Sequence, residues 1–234
     1  MTPGSLPRRV YDLSQPVFAG CPQYVDPNPR PAQVRRMYMA SVHGVNKEIL
    51  ELSTHTGTHC DAPFHFFDGA ATIDETPLQA YIGWATILDL RGLDPGGVGG
   101  RGGGSRAVER GDLERAGDVR PGAVALLNTG WGRKRANTRE YLTQYPFLAE
   151  SGAAYLLERQ VKGVGIDTVS LGGYGDPVTG AAPHRVLLGA GKFIVEDLSF
   201  PDEVMDGVPR LFCAVPVLLR GCGAAWTRAM LWEL

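Results

Sequence analysis

The sequence predicts an α/β fold, a mixed β-sheet with helices on its outside, and two observations point to it. Aliphatic and β-branched runs of strand length recur at 86–90 (TILDL), 123–128 (AVALLN), 163–171 (GVGIDTVSL) and 192–198 (KFIVEDL), as buried strands do. Between some of these runs, apolar residues fall at helical spacing. With 234 residues, 44% of them hydrophobic, the chain carries enough apolar material for one core of upper-middle size, so residues 1–234 are expected to form a single domain.

Taken in order, YDLSQPVF at 11–18 reads as a strand, and CPQYVDPNPRP at 21–31 is too rich in proline for a helix, which makes it an extended loop able to border a site. GVNKEILELS at 44–53 favours a strand that would deliver the histidines following it. A short helix is expected near Pro77–Tyr81, then the strand TILDL. DPGGVGGRGGGSR at 94–106 carries so many glycines that ordering it would cost much backbone entropy, which predicts a flexible surface loop. AVALLN is the next strand. Residues 138–160 contain a helix whose Ala153, Leu156 and Leu157 face inward. GVGIDTVSL is a strand, HRVLLGAG at 184–191 a short helix closed by glycine, and KFIVEDL a strand. RLFCAVPVLL and TRAMLWEL supply two more.

Charge excludes some functions. A formal net charge of −2 from 23 basic and 25 acidic residues, spread along the chain, offers no footprint for nucleic acid and no patch for an anionic membrane, so the expected partners are small molecules. No stretch approaches the roughly 20 apolar residues that span a bilayer, and the two arginines near the N-terminus lack an apolar segment behind them. Cys21, Cys60, Cys213 and Cys222 form no CxxC pair, which suits reduced thiols in a cytoplasm.

The chemistry concentrates in one segment. Of five histidines, three lie within eleven residues as His55-Thr-Gly-Thr-His59-Cys-Asp61-Ala-Pro-Phe-His65. Imidazole and carboxylate are the ligands that divalent first-row metals take in catalytic sites. All four residues share one parity, yet an extended chain would hold His55 about 13 Å from His59 at roughly 3.3 Å per residue, so the backbone must tighten between them. Gly57 permits that turn, after which His59 and Asp61 sit side by side on a short extended piece. Pro63 bends the chain again and holds His65 beside a metal instead of on it. A single segment cannot enclose an ion; His184, and Glu196 at the end of an apolar strand, are the further donors, with Asp197 as the competitor that points the opposite way. Cys60, of opposite parity, packs into the core. His43 reads as a structural or surface residue. Tyr24 and Trp131 are candidates to line a pocket for an aromatic substrate.

The motif HTGTHCDAPFHF, with His184 and Glu196 twelve residues apart and the further blocks LNTGW at 127–131 and GIDTVSL at 165–171, resembles the cyclase family of metal-dependent hydrolases, which includes bacterial kynurenine formamidases and isatin hydrolases. The resemblance implies a swivelling β/β/α domain and one or two zinc or manganese ions. His55, His59 and Asp61 would hold one ion, Asp61 and Glu196 would bridge to a second bound also by His184, and His65 would be the acid/base. It implies a homodimer or homotetramer, and hydrolysis of a C–N amide bond, N-formylkynurenine being the best single substrate. Tyr24 stands for the substrate-contacting aromatic of an early loop, without the Pro-Gly that follows it in the formamidases. The alternatives are an isatin-like lactam or lactone hydrolase, and a non-catalytic protein that keeps the metal site as a staple.

Overall fold

The computed structural model describes residues 6–93 and 105–234, so the glycine-rich segment expected as a loop falls, apart from Ser105 and Arg106, outside the described residues. The strands are β1 (Arg9–Asp12), β2 (Gln33–Tyr38), β3 (Lys47–Glu51), β4 (His59–Asp61), β5 (Ile82–Asp89), β6 (Ala107–Val108), β7 (Val124–Asn128), β8 (Phe147–Leu148), β9 (Gly163–Ile166), β10 (Phe193–Glu196), β11 (Leu211–Cys213), β12 (Ala224–Trp226) and β13 (Met230–Glu233). The helices are α1 (Ala40–His43), α2 (Arg110–Ala116), α3 (Arg139–Thr143), α4 (Glu150–Glu158) and α5 (Pro177–Gly189). Nine strands form one mixed sheet in the order β1-β13-β11-β5-β7-β9-β10-β4-β12. Its centre, β5-β7-β9-β10, is parallel, and the flanking pairs are antiparallel. Beyond the strands, Ser14 bridges to Leu198 and Pro216 to Thr227, so chain leaving one half of the sheet pairs with chain leaving the other, and the sheet curls.

Strands β7, β9 and β10 are buried along their whole length and, apart from Asn128 and Glu196 at strand ends, carry only apolar residues and glycine, as strands covered on both faces do. Val124, Leu126, Phe193 and Val195 enter one cluster with Cys60 and Ala225. Ala125, Leu127 and Ile194 enter the other with Leu113 of α2, Leu156 of α4 and Leu187 of α5. This is the period-two alternation of a pleated strand. Helices thus cover one face of the sheet, while the curl closes the other.

The strand expected at 44–53 exists as β3, but it does not lead the histidines into the sheet. It pairs with β2 alone, in a separate hairpin whose residues are all exposed, and β4 is the strand that carries His59 and Asp61. The helix expected at 184–191 is longer, starting at Pro177 on an Asp176 cap whose side chain accepts from the Val178 amide at 3.0 Å. Gly180 and Pro183 hide it from a propensity reading. Pro183 cannot donate to the Thr179 carbonyl four residues earlier, and the Gly173 amide takes that acceptor instead at 3.3 Å.

Candidate functional site

The register of β4 places the site. Glu196 lies opposite His59, and Ile194 opposite Asp61, so His59, Asp61 and Glu196 project from one face, the one on which α5 packs. Between His55 and β4 the chain turns at Gly57, whose φ is +67° and where a Cβ would strike Val17 Cγ2 at 2.6 Å; only glycine serves there. Pro63–His65 form a turn of 3-10 helix that swings His65 beside the others. His184 arrives mid-helix from α5, buried to 4% exposure, not at an exposed helix start.

Five donors converge in two overlapping triads: His55, His59 and Asp61, and Asp61, His184 and Glu196. His55 Nδ1, His59 Nε2 and Asp61 Oδ1 stand 3.1, 3.1 and 3.4 Å apart. Ligands about 2.0–2.1 Å from a tetrahedral ion are separated by roughly 3.3 Å, so the triangle has the edge length of a coordination face. His184 Nε2 lies 2.9 Å from Glu196 Oε1 and 4.0 Å from Asp61 Oδ2, and His59 Nε2 lies 3.4 Å from Glu196 Oε2. The outer ring nitrogens fix the tautomers. His59 Nδ1 donates to the Gly57 carbonyl at 2.8 Å and His184 Nδ1 to the Gly180 carbonyl at 2.9 Å, which leaves each Nε2 lone pair directed inward. Asp61 is fully buried and neither carboxylate oxygen has a hydrogen-bond partner among the described residues. A buried carboxylate in that state requires a cation. An all-nitrogen-and-oxygen set of three imidazoles and two carboxylates fits a divalent first-row metal.

The electrostatics agree. Burial pushes the Asp61 carboxyl up, but His55 and His59 outweigh it and hold the group well below the usual carboxylate range. Burial likewise opposes the charged form of His59, yet Asp61 and Glu196 raise its pKa well above that of an ordinary histidine. His65 behaves differently: burial lowers it, opposed by Asp61, so its ring is neutral at pH 7. Its centroid lies 4.2 Å from that of His55 and 6.0 Å from that of His184, and its nitrogens make no hydrogen bond with a described residue. Phe66, which sequence reading left without a role, stacks on His184 at 4.9 Å and 16°.

These residues open onto a cavity of about 400 Å³, within the usual range for small-molecule sites. Its walls are Gln23, Tyr24, Asp26 and Arg30 of the proline-rich loop, with Phe66 and Ser170. Tyr24 therefore borders the site, edge-on to Tyr174 at 6.2 Å. Trp131 does not; it is 9% exposed in a separate cluster and donates from Nε1 to the Tyr141 carbonyl. His43 sits on the exposed turn between β2 and β3. Cys60 packs in the core with Sγ 3.0 Å from the Ala214 carbonyl.

Asp197 faces away from the site, in the left-handed region at φ +55°, and forms a buried pair with Arg135 at 2.9–3.3 Å. Arg135 also donates to the carbonyls of Pro16 and Pro22, and the Asp197 carbonyl accepts from Thr58 Oγ1 at 2.6 Å. This pair ties the cavity loop to the strand end carrying Glu196 and to the neighbour of His59. Arg135→Met leaves Asp197 buried without its cation, and urea unfolding is expected to show a loss of about 3–5 kcal/mol. A loss under 1 kcal/mol would mean that the loop is held by other contacts.

Comparisons with known proteins place the chain in a family. A sequence model of the Cyclase family covers residues 11–172. The chain is similar to the kynurenine formamidase of Bacillus mycoides (strain KBAB4), 31% identical over 80% of each chain. It is also similar to that of Bordetella petrii, 29% identical over 97% of this chain and 99% of that one. A solved structure described as a potential metal-dependent hydrolase with cyclase activity superposes with a TM-score of 0.75 at 28% identity, covering 97% of this chain and 98% of the other. With the family model matching residues 11–172 and a relative 31% identical over 80% of both chains, the chain belongs to the Cyclase family.

Proposed function

We propose that the protein is a metal-dependent amidohydrolase that cleaves the C–N bond of an aryl formamide, with N-formylkynurenine as substrate and kynurenine and formate as products. The observation that carries this reading is the pair of triads sharing Asp61, with His65 beside them and outside both, at the wall of a small-molecule cavity. His55, His59 and Asp61 would hold one ion, and Asp61, His184 and Glu196 would hold a second where two are bound, zinc or manganese. When bound, such an ion polarises the amide carbonyl and acidifies water. The residues do the rest. Neutral His65 accepts the proton that water releases on adding to the carbonyl carbon, and returns it to the nitrogen as the C–N bond breaks. A protein using the metal only as a staple would have no use for the cavity or for an unengaged histidine beside the donors.

The rim supports an amino-acid substrate. Asp26 and Arg30 border the cavity on one loop, and Arg30 forms no ion pair with a described residue. Together they match the ammonium and carboxylate of a kynurenine side chain, groups that isatin and simple lactones lack. Arg30→Met is expected to raise KM for N-formylkynurenine about tenfold with kcat unchanged, the loss of one charge-assisted contact made equally in ground and transition states. Steady-state kinetics of the purified variant decides it.

The hairpin of β2 and β3 supports self-association, as a homodimer or homotetramer. Met37, Tyr38, Val42, Ile49 and Leu50 are 39–68% exposed on it, and an isolated two-stranded hairpin is marginal in water. No helix among the described residues is long and apolar enough to cross a membrane, and all four cysteines are free, which supports a cytoplasmic location. The deciding experiment is hydrolysis of N-formylkynurenine by protein reconstituted separately with zinc and with manganese, against metal-stripped protein. A kcat/KM above about 10⁴ M⁻¹s⁻¹ with one ion supports the proposal. A rate equal to that of stripped protein ends the formamidase reading and moves the search to isatin-like lactams and lactones.

A further inference from the structure

The loop 167–173 leaves the C-terminal end of β9 and is fastened at nearly every residue. Thr168 Oγ1 donates to the Ser170 carbonyl at 2.7 Å, the Leu171 amide donates to Glu196 Oε1 at 2.6 Å, and the Leu171 carbonyl accepts from the Leu148 amide at 2.8 Å. Gly172 lies so close to α5 that a Cβ there would run into the Gly180 carbonyl. Ser170, held at the centre of this loop and 8% exposed, lines the cavity with His55, His65, His184 and Glu196.

A serine hydroxyl has one proton to give and two lone pairs to fill. Ser170 Oγ accepts from the Gly172 amide at 3.3 Å. The Ser170 proton finds no acceptor among the described residues and is left for whatever occupies the cavity.

We infer that Ser170 is a catalytic residue for the amide hydrolysis proposed above, its hydroxyl donating a hydrogen bond to the carbonyl oxygen of the scissile amide as negative charge develops there. The inference rests on that reading of the site. Ser170 keeps its proton throughout: water supplies the oxygen, His65 carries the proton from water to nitrogen, and the serine lends only a dipole. A fixed donor on a rigid loop is aimed before the reaction begins, which is what gives such donors their large effect.

The test compares Ser170→Ala with the parent in metal-loaded protein, after metal content and melting temperature are matched. Two readouts are needed, N-formylkynurenine kinetics and calorimetric binding of phenylphosphonate, whose tetrahedral oxygens imitate the developing charge. Ser170→Ala is expected to lower kcat about a hundredfold with little change in KM, and to weaken phenylphosphonate at least about fivefold. If Ser170→Ala stays within about twofold of the parent in both readouts, the inference is overturned. Should the parent hydrolyse no aryl formamide at all, the functional proposal falls by itself, and phenylphosphonate binding still decides whether Ser170 is a directed donor.

Discussion

Asp61→Asn is expected to abolish hydrolysis and to strip the protein of its metal. Asp61 is the one residue in both triads, it is fully buried, and neither of its oxygens is engaged by a described hydrogen-bond donor. Asparagine keeps the shape but replaces one acceptor oxygen with an NH₂ and removes the charge that offsets two cations. Losing an outer-shell partner typically costs 10–100-fold in metal affinity, so losing the shared ligand should cost more than about a hundredfold, with turnover falling to that of metal-stripped protein. Elemental analysis after dialysis reads the metal directly. His184→Ala serves as the contrast, since it leaves His55, His59 and Asp61 intact and should retain one ion.

The same substitution separates metal binding from folding. An ion that binds only the folded chain stabilises it by about 4 kcal/mol at a concentration a thousandfold above its Kd, and the parent should lose that increment in chelator. The asparagine variant should show no response to chelator, because it has no ion to lose. In chelator the order can even reverse, since the parent then buries a carboxylate without a cation while the variant buries a neutral amide of the same size. A variant that retains full metal and full activity would move the site away from Asp61 altogether.

The local half of this site was legible because its geometry is local. His55, His59, Asp61 and His65 are brought together by a glycine turn, three residues of strand and a proline, all within eleven residues, so residue type and spacing carried the argument as far as the placement of each side chain. His184 and Glu196 could be proposed by type and by their position near an apolar strand, but their approach to Asp61 depends on the β4–β10 register and on α5, which a propensity reading loses at Gly180 and Pro183. Ser170 and Phe66 lie inside blocks that carry the family resemblance, yet like Arg135 they had no sequence signal for a role. A serine in a strand-like run, an arginine in a basic stretch and a phenylalanine beside a histidine are ordinary residues until the loops that hold them are in place. The fold followed the same division. Central strands buried on both faces read as continuous apolar runs, whereas β2 is wholly exposed and offers no pattern. In RLFCAVPVLL only Leu211–Cys213 form a strand, because Pro216 has no amide to give to a ladder.

His65→Ala tests the division of labour between holding an ion and moving a proton. His65 stands 4.2 Å centroid to centroid from His55, near enough to share its environment, yet it belongs to neither triad and its nitrogens are unengaged by described residues. A ligand would point a nitrogen at the other donors and have its outer nitrogen fixed, as His59 and His184 do. A proton carrier has to be neutral at the start and free to meet water or substrate, which is how His65 is left by burial that lowers its pKa against the pull of Asp61. The variant is therefore expected to keep its full complement of metal and its melting temperature, while kcat falls by about 10²–10⁴-fold, the usual contribution of a positioned acid/base. Free imidazole in the assay should restore part of the rate, since the space vacated by the side chain opens onto the cavity and an untethered base can enter it. Loss of metal in the variant would make His65 a ligand. Unchanged turnover would pass the proton to another group, and the cavity wall offers Tyr24 and Glu196 as the next to replace.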